Sequence, residues 1–398
     1  MDLTPYKNCL ALKNSIFIAN EKNPYRPCCW FKTQIDATDI HDYKKQLAEI
    51  DIKTNCDYCI QQDNGGTYSY RQHFTEVDEL IITVSFDNIC NLKCITCTPN
   101  NSTQILVERL KFHDKVNDQN IKKYFDEIII KQAPKKIDFI KSMLADVKFK
   151  KLRFDILGGE PLINPAIFEF LDWLAEQSYA DQTNLSITTN GTTYNDKLLK
   201  YVRIFKKISV QLSIDGIGAE FEYLRYGASF KTLEKVCDSF YELTKKNDNF
   251  YMGCHYTLSW MNCLKFAEFF NWIQNRYPDI DQIYVSKLQE PYQYSIEAMS
   301  FDMRKRAYDL VSSKIKLISQ PYKKAMFLYK EHMLNTTYDT FDLEKIKHGM
   351  GTLTVSDNIR GNKNIDIVYD FINFFNLSEL VKVNVGELVR ASKLVKLK

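Results

Sequence analysis

From about residue 80 the chain alternates two kinds of segment, and this alternation limits its possible folds more than any other feature. Six short runs, "IITVSF", "KLRFDIL", "NLSITTN", "ISVQLSI", "YMGCHYTLS" and "QIYVSKL", are rich in apolar and β-branched residues, as strands are. Between them lie amphipathic stretches such as "NPAIFEFLDWLAEQ", "SFKTLEKVCDSFYELTKK" and "LKFAEFFNWIQNRY", whose apolar residues follow the helical period. Strands alternating with helices imply parallel βα units with functional residues at the C-terminal ends of the strands. Six units are too few to close an eight-stranded barrel. The expected fold is therefore α/β, a partial (βα)6 TIM-like barrel over residues 79–290.

Before residue 79 the chain is short, polar and rich in cysteine, which suggests a small domain over residues 1–78 organised by metal rather than by a core. After residue 290 it reads as a helical extension, residues 291–398, through "SIEAMSFDMRKRAYDLVSSKIKLI" and "IDIVYDFINFF". A formal net charge of +3 demands neither nucleic acid nor an anionic membrane as partner. Basic residues gather between Lys122 and Arg153 and in a tail with Arg390, Lys393, Lys396 and Lys398; solvated helix faces and a frayed end account for both. The opening "MDLTPYKNCLALKNSIFIAN" lacks the basic start and continuous apolar run of a signal peptide, and no run is long enough to span a bilayer. The expected location is the cytoplasm, where thiols stay reduced and clustered cysteines act as metal ligands.

Eleven cysteines divide by position. Cys237, Cys254 and Cys263 are scattered along strand and helix candidates, where a free cysteine packs as a small hydrophobe. Cys9, Cys28, Cys29, Cys56 and Cys59 lie in the N-terminal segment. Cys90, Cys94 and Cys97 fall within "CNLKCITC", directly after the strand candidate "IITVSF". Three thiolates at a strand's C-terminal end suit a soft metal or an iron–sulfur cluster, whereas a structural zinc site would want a fourth ligand nearby. On a cubane of four irons, three cysteines leave one iron open to bind a small molecule directly.

The triplet and its surroundings resemble the radical S-adenosylmethionine enzymes. Three further signatures of that superfamily follow in order, each at the end of a strand candidate: "GGEP" at Gly158 to Pro161, "TTNG" at Thr188 to Gly191, and "LSIDG" at Leu212 to Gly216. The upstream segments "NPYRPCCW", "CDYC" and "GGTYSYRQ", with Cys9, are similar to the subgroup in which a small auxiliary-cluster "twitch" domain precedes the barrel. "SIDGIGAEFEYLRYGASFKTLEKV" and "SDNIRG" are similar to that subgroup too.

The resemblance implies a 4Fe-4S cluster on Cys90, Cys94 and Cys97, with S-adenosylmethionine chelating the open iron, and reductive cleavage to methionine and a 5′-deoxyadenosyl radical. Such a radical attacks C–H bonds that offer no acidic proton, and the protein supplies orientation and exclusion of side reactions. Gly158, Gly159 and Pro161 would shape the backbone beside the cofactor, and Glu160 would meet its ammonium. Asn190, Ser213 and Asp215 would contact ribose or ammonium, although these residue types also serve ordinary strand-end turns. A second, auxiliary 4Fe-4S cluster is implied on Cys9, Cys28, Cys56 and Cys59, with Cys29 left to packing. Tyr223 and Arg225 are candidates for the substrate cavity; Asp357 and Arg360 read more simply as a helix-capping ion pair. A flavodoxin or ferredoxin is the implied reductant, and a peptide or small polar molecule the substrate; no membrane or nucleic-acid partner is expected. Two other readings stay open, radical chemistry on a nucleotide or sugar and a non-catalytic metal-stabilised binding protein.

Overall fold

A computed structural model describes residues 4–19, 24–64, 69–76, 78–116, 133–280, 282–315, 322–335, 341–361 and 366–377. The basic tail, part of the basic stretch that begins at Lys122, and positions 65–68 of "GGTYSYRQ" lie outside the described residues. Eight strands are defined: β1 Ser15–Ile18, β2 Tyr25–Arg26, β3 Glu79–Ser85, β4 Lys151–Leu157, β5 Thr183–Thr189, β6 Lys207–Ser213, β7 Phe250–Leu258 and β8 Gln282–Lys287. They form one sheet in the order β2-β1-β3-β4-β5-β6-β7-β8. The fold is α/β with a parallel sheet: β1, β3, β4 and β5 pair in parallel, as do β7 and β8, while β2 is antiparallel to β1.

The chain divides into two compact units. The first comprises residues 1–91, 99–211 and 236–252. Here the strands are half apolar. Leu80, Ile82 and Val84 of β3, Leu152, Phe154 and Ile156 of β4, and Leu185 and Ile187 of β5 are buried. Against this face pack the helices Ala133–Asp146 and Pro165–Ala175. Phe170 of the second helix meets Phe86 and Phe154 with ring centroids 5.1 and 5.3 Å apart. That helix begins where the sequence dictates: the Asn164 side chain caps the Ala166 N–H and Pro165 supplies the first turn.

The opposite face of the same strands is polar and only half-buried. In register across β3, β4 and β5 lie Thr83, Asp155 and Ser186, and one step upstream Ile81, Arg153 and Asn184. Arg153 Nε pairs with Asp155 Oδ1 at 3.0 Å, and burial raises the Asp155 carboxyl above its usual range against the pull of Arg153. Parallel strands covered on both faces by hydrocarbon would read as continuous apolar runs; these alternate because one face meets polar groups.

β1 and β2 are absent from the strands expected on sequence grounds. Four and two residues long, they carry too little pattern to register, and β1 is defined by pairing with β3, about sixty residues downstream.

The second unit comprises residues 92–98, 212–235 and 253–398. It holds the C-terminal ends of β6 and β7, the strand β8, and the helices Gly218–Leu224, Phe301–Lys314, Lys323–Met333, Leu343–Arg360 and Asp366–Phe374. Gly361, at φ 65°, ends the longest of these in the left-handed conformation that glycine adopts without strain.

Candidate active site

In the first unit, the strand ends of β3, β4 and β5 lie side by side because the three strands are parallel and in register. The turn after β4 is fitted to the chain leaving β3. Gly158 and Gly159 have φ of 79° and 52°, and a Cβ on them would stand 1.6 Å from Ser85 Oγ and 2.2 Å from Ile89 O. Both glycines are thus required by close approach to the protein's own atoms, the Ser85 side chain for Gly158 and the Ile89 backbone for Gly159. The Glu160 N–H donates to Ile89 O at 2.7 Å, locking that approach.

The Glu160 side chain is fully buried. Its carboxylate accepts from Leu162 N–H at 3.0 Å, Thr189 Oγ1 at 2.7 Å and Asn190 N–H at 2.6 Å, tying the turn after β4 to the end of β5. Pro161 opens the short 3-10 turn Pro161–Ile163 that Glu160 caps. The Asn190 amide donates to Asn91 Oδ1 at 2.9 Å and stands 3.9 Å from Cys90 Sγ, so the end of β5 reaches the first cysteine. Hydrogen bonds to charged groups contribute about 1.5–3 kcal/mol each. Glu160→Gln, which removes the charge from three of them, is therefore expected to lower the unfolding midpoint. Scanning calorimetry checks this, and an unchanged midpoint counts against the clamp.

Two residues that the motifs did not reveal hold the same region. Asp87 accepts from Ile89 N–H at 2.9 Å and from Asn164 Nδ2 at 2.9 Å. Lys136 is buried and donates from Nζ to Ser85 O at 2.6 Å. Both bonds of Asp87 and the reach of Lys136 steer the chain between β3 and Cys90. A carboxylate three residues before a cysteine, and a lysine on an otherwise apolar helix face, were the only signals the sequence carried for them.

In the second unit, the backbone N–H groups of Lys93 and Ile95 donate to Tyr226 O and Leu224 O at 2.9 and 2.8 Å. These bonds staple the Cys94–Cys97 loop to the C-terminal end of the helix Gly218–Leu224. Cys94 and Cys97 are half-buried and in no disulfide. Between the two stapled carbonyls lies Arg225, whose buried guanidinium approaches Asp215 Oδ2 to 2.8 Å. Burial works against the charge of Arg225, but Asp215, then Cys94 and Cys97, raise its pKa above the ordinary value. Asp215 is fully buried and also accepts from Thr257 N–H at 2.8 Å. Ser213 ends β6, half-buried. His255, whose Nε2 is 2.7 Å from Ser286 Oγ, is shifted down by burial, with Asp215 opposing the shift.

Tyr223 and Asp357 meet each other: the tyrosine hydroxyl donates to Asp357 Oδ2 at 3.2 Å. Arg360 instead lies over the Tyr226 ring at 4.7 Å, and its carbonyl accepts from the Tyr226 hydroxyl. Burial raises the Asp357 carboxyl to about 6, against the hydrogen bond from Tyr223 and the charge of Arg360. A carboxyl raised on folding favours the folded state while protonated, and that contribution is lost as pH rises from the unfolded value near 4 through about 6. Asp357→Asn is expected to be more stable than the parent at pH 7.5, with the gap closing below pH about 4. Urea melts at the two pH values check this; a gap independent of pH overturns it.

The remaining predicted ligands line one cavity, also in the first unit. Cys9, Cys28, Cys56 and Cys59 face it together with Tyr6, Phe31, Arg71 and Phe74. Cys29 is exposed. Burial raises Cys9 and Cys28, and pushes Cys56 up to about 12, with Cys59 and Cys9 adding to the last. Arg71 pairs with Asp63 at 2.7 Å and lies over the Tyr6 ring at 5.4 Å, which closes one side of the cavity.

Among the described residues, no three His, Cys, Asp or Glu side chains stand close enough together to hold a metal ion. The donor chemistry nevertheless fits an iron–sulfur group at the loop after β3. None of the three cysteines is in a disulfide, the first is buried beside an amide donor, and a buried guanidinium interacts electrostatically with the other two.

In the first unit, parallel pairing brings Cys90, a glycine-rich turn and Asn190 to the C-terminal ends of β3, β4 and β5. Residues 84–267 match the family model of the Radical SAM superfamily. That segment, somewhat under half of the chain, is similar to the radical SAM superfamily. Among solved structures, native anSMEcpe with bound AdoMet and Cp18Cys peptide is 19% identical over 58% of each chain, with a TM-score of 0.39. Streptococcus suis SuiB bound to S-adenosylmethionine is 19% identical over 74% of this chain and 53% of that one, with a TM-score of 0.33. The radical S-adenosylmethionine methyltransferase TsrM from Kitasatospora setae, with tryptophan substrate and a SAM analog, is 10% identical over 57% and 39%, at 0.33. The chain covers less than two thirds of the length of each. No curated protein matches it. Among the described residues, no helix is long and apolar enough to cross a membrane.

Proposed function

We propose that the protein reductively cleaves S-adenosylmethionine at a 4Fe-4S cluster held by Cys90, Cys94 and Cys97, and that the 5′-deoxyadenosyl radical so formed abstracts hydrogen from a peptide or small polar substrate. The reading rests on the family match over residues 84–267, which contains the three cysteines after β3. When bound, the cluster supplies one electron to the sulfonium of the cofactor. The chain's own residues bind and orient. Gly158, Gly159 and Pro161 hold the turn, Glu160 is the candidate partner of the methionine ammonium, and Asn190 fixes the loop at Cys90. Ser213 and Asp215 are the candidates for ribose.

The polar face carrying Thr83, Arg153, Asp155, Asn184 and Ser186 favours a substrate rich in hydrogen-bonding groups, because hydrocarbon set against it would strip water from the Arg153–Asp155 pair and its polar neighbours. Residues 1–78 supply a twitch-like auxiliary site, a second 4Fe-4S cluster on Cys9, Cys28, Cys56 and Cys59, supported by the cavity these four line. A cytoplasmic flavodoxin or ferredoxin serves as reductant. Anaerobic incubation with dithionite and S-adenosylmethionine tests the central step. 5′-Deoxyadenosine is the expected product, and its absence from protein with a full iron complement would leave a metal-stabilised binding protein instead.

A further inference from the structure

We infer that Arg225 is a positioning residue that sets the reduction potential of the cluster from beneath the cysteine loop. The inference rests on the proposed assignment of a 4Fe-4S cluster to Cys90, Cys94 and Cys97. It begins with the backbone. The Lys93 and Ile95 N–H groups bond to the carbonyls of Tyr226 and Leu224, the two neighbours of Arg225. The loop carrying Cys94 and Cys97 is therefore fixed to the one segment from which the Arg225 side chain departs.

That side chain is buried, and its charge interacts with three groups, Asp215, Cys94 and Cys97. The contact with Asp215 runs from a terminal guanidinium nitrogen to Oδ2 at 2.8 Å, and Arg225 Nε is buried with no hydrogen-bond partner among the described residues. Were the arginine there only to neutralise Asp215, a two-pronged pairing would satisfy both groups. Instead Asp215 is anchored by Thr257 N–H and, through its backbone carbonyl, by Asn262 Nδ2 at 3.0 Å. The guanidinium is carried by the segment to which the cysteine loop is stapled. Three further titratable groups stand here: the His255 imidazole, shifted down by burial, interacts with both Asp215 and Arg225, and Glu220 and Tyr256, both shifted up by burial, interact with Asp215.

A cluster with three thiolate ligands takes up one electron from its reductant, no proton moves, and its net charge falls from one negative to two. A fixed buried cation stabilises the second state more than the first, and cluster potentials respond to such charges and to hydrogen bonds at the sulfurs. Removing the cation makes reduction harder. Removing its counter-anion makes reduction easier.

The test is an anaerobic redox titration of the reconstituted full chain without S-adenosylmethionine, following by electron paramagnetic resonance the signal that S-adenosylmethionine perturbs. Arg225→Gln should shift the midpoint to more negative potential, Asp215→Asn should shift it to more positive potential, and Arg225→Lys should stay nearer the parent than Arg225→Gln. Opposite signs in the first two variants cannot come from a merely structural role, which would only lower iron content. If Arg225→Gln fails to retain the cluster, Asp215→Asn decides alone: a positive shift supports the role and an unmoved midpoint overturns it. Variants that keep parental iron and a parental midpoint overturn the inference while leaving the cluster in place. A parent that shows no such signal overturns the cluster assignment itself.

Discussion

Alanine at Cys90, Cys94 or Cys97 is expected to abolish 5′-deoxyadenosine formation in chains that remain folded. Each thiolate supplies one of three protein bonds to the proposed cluster, and a methyl group offers no donor. The expected fold survives because the replaced side chain is small. Cys90 packs as a buried residue beside Asn190, which keeps its bond to Asn91. Cys94 and Cys97 sit on a loop whose staples to Leu224 and Tyr226 are made by the backbone of Ile95 and Lys93, so neither staple is lost. Circular dichroism and iron content separate loss of fold from loss of ligand. Parental product formation in any of the three variants would show that the thiols are not the ligands.

Six of the eight described strands were legible as runs rich in apolar and β-branched residues, β4 and β5 alternating in burial. β4 spans the run "KLRFDIL", and β5, β6 and β7 lie one residue upstream of the runs that announced them. The meaning of the alternation was less accessible. Thr83, Asp155 and Ser186 read singly as tolerated polar residues within strands, and only the pairing of β3 with β4 and of β4 with β5 assembles them into one polar row. β1 escaped notice for the same reason, since a four-residue strand acquires its identity from a partner distant in sequence.

At the site, residues fixed by local motif were readable and residues fixed by distant contact were not. Gly158 and Gly159 announce a tight approach, but the sequence suggested a cofactor as the object approached. The nearest atoms belong to Ser85 and Ile89, because the turn after β4 must fold down against the chain leaving β3 before any ligand can be bound. Asp87 and Lys136 act through Asn164 and Ser85, 77 and 51 residues away. Arg225 was visible as a polar residue near the site, whereas its pairing with Asp215 depends on how the helix Gly218–Leu224 returns beneath the loop. Asp357 and Arg360, three residues apart on one helix, invited a local pairing; the tyrosines Tyr223 and Tyr226, far off in sequence, engage them instead.

The N-terminal cavity carries the second large prediction. Reconstituted under anaerobic conditions, the parent is expected to hold about eight irons per chain, and a Cys56→Ala, Cys59→Ala double variant about four, as two cubane clusters require. Four of the five N-terminal cysteines face one cavity, and the fifth, Cys29, is exposed beside Cys28. The two lie in a turn, closed by Phe31 N–H to Cys28 O at 3.2 Å, with Cys28 at the cavity and Cys29 outward. Cys56 ends the short helix Ile52–Asn55, and Cys59 lies one turn on, in the helix Asp57–Asn64, so both present sulfur to the same side. Around them the apolar cluster is small: Tyr6, Cys59 and Ile60, with Ile52, Cys56 and Tyr58 packed against it. A core of that size gives a metal centre room to contribute to folding, so the double variant should also unfold more readily in this segment, seen as faster proteolysis there. Full coordination by four thiolates would suit electron transfer or a structural role, since no iron is left open for substrate. Four thiolates also suit zinc. A parent that binds about four irons and one zinc per chain would remove the second cluster while leaving the three-cysteine site after β3 untouched.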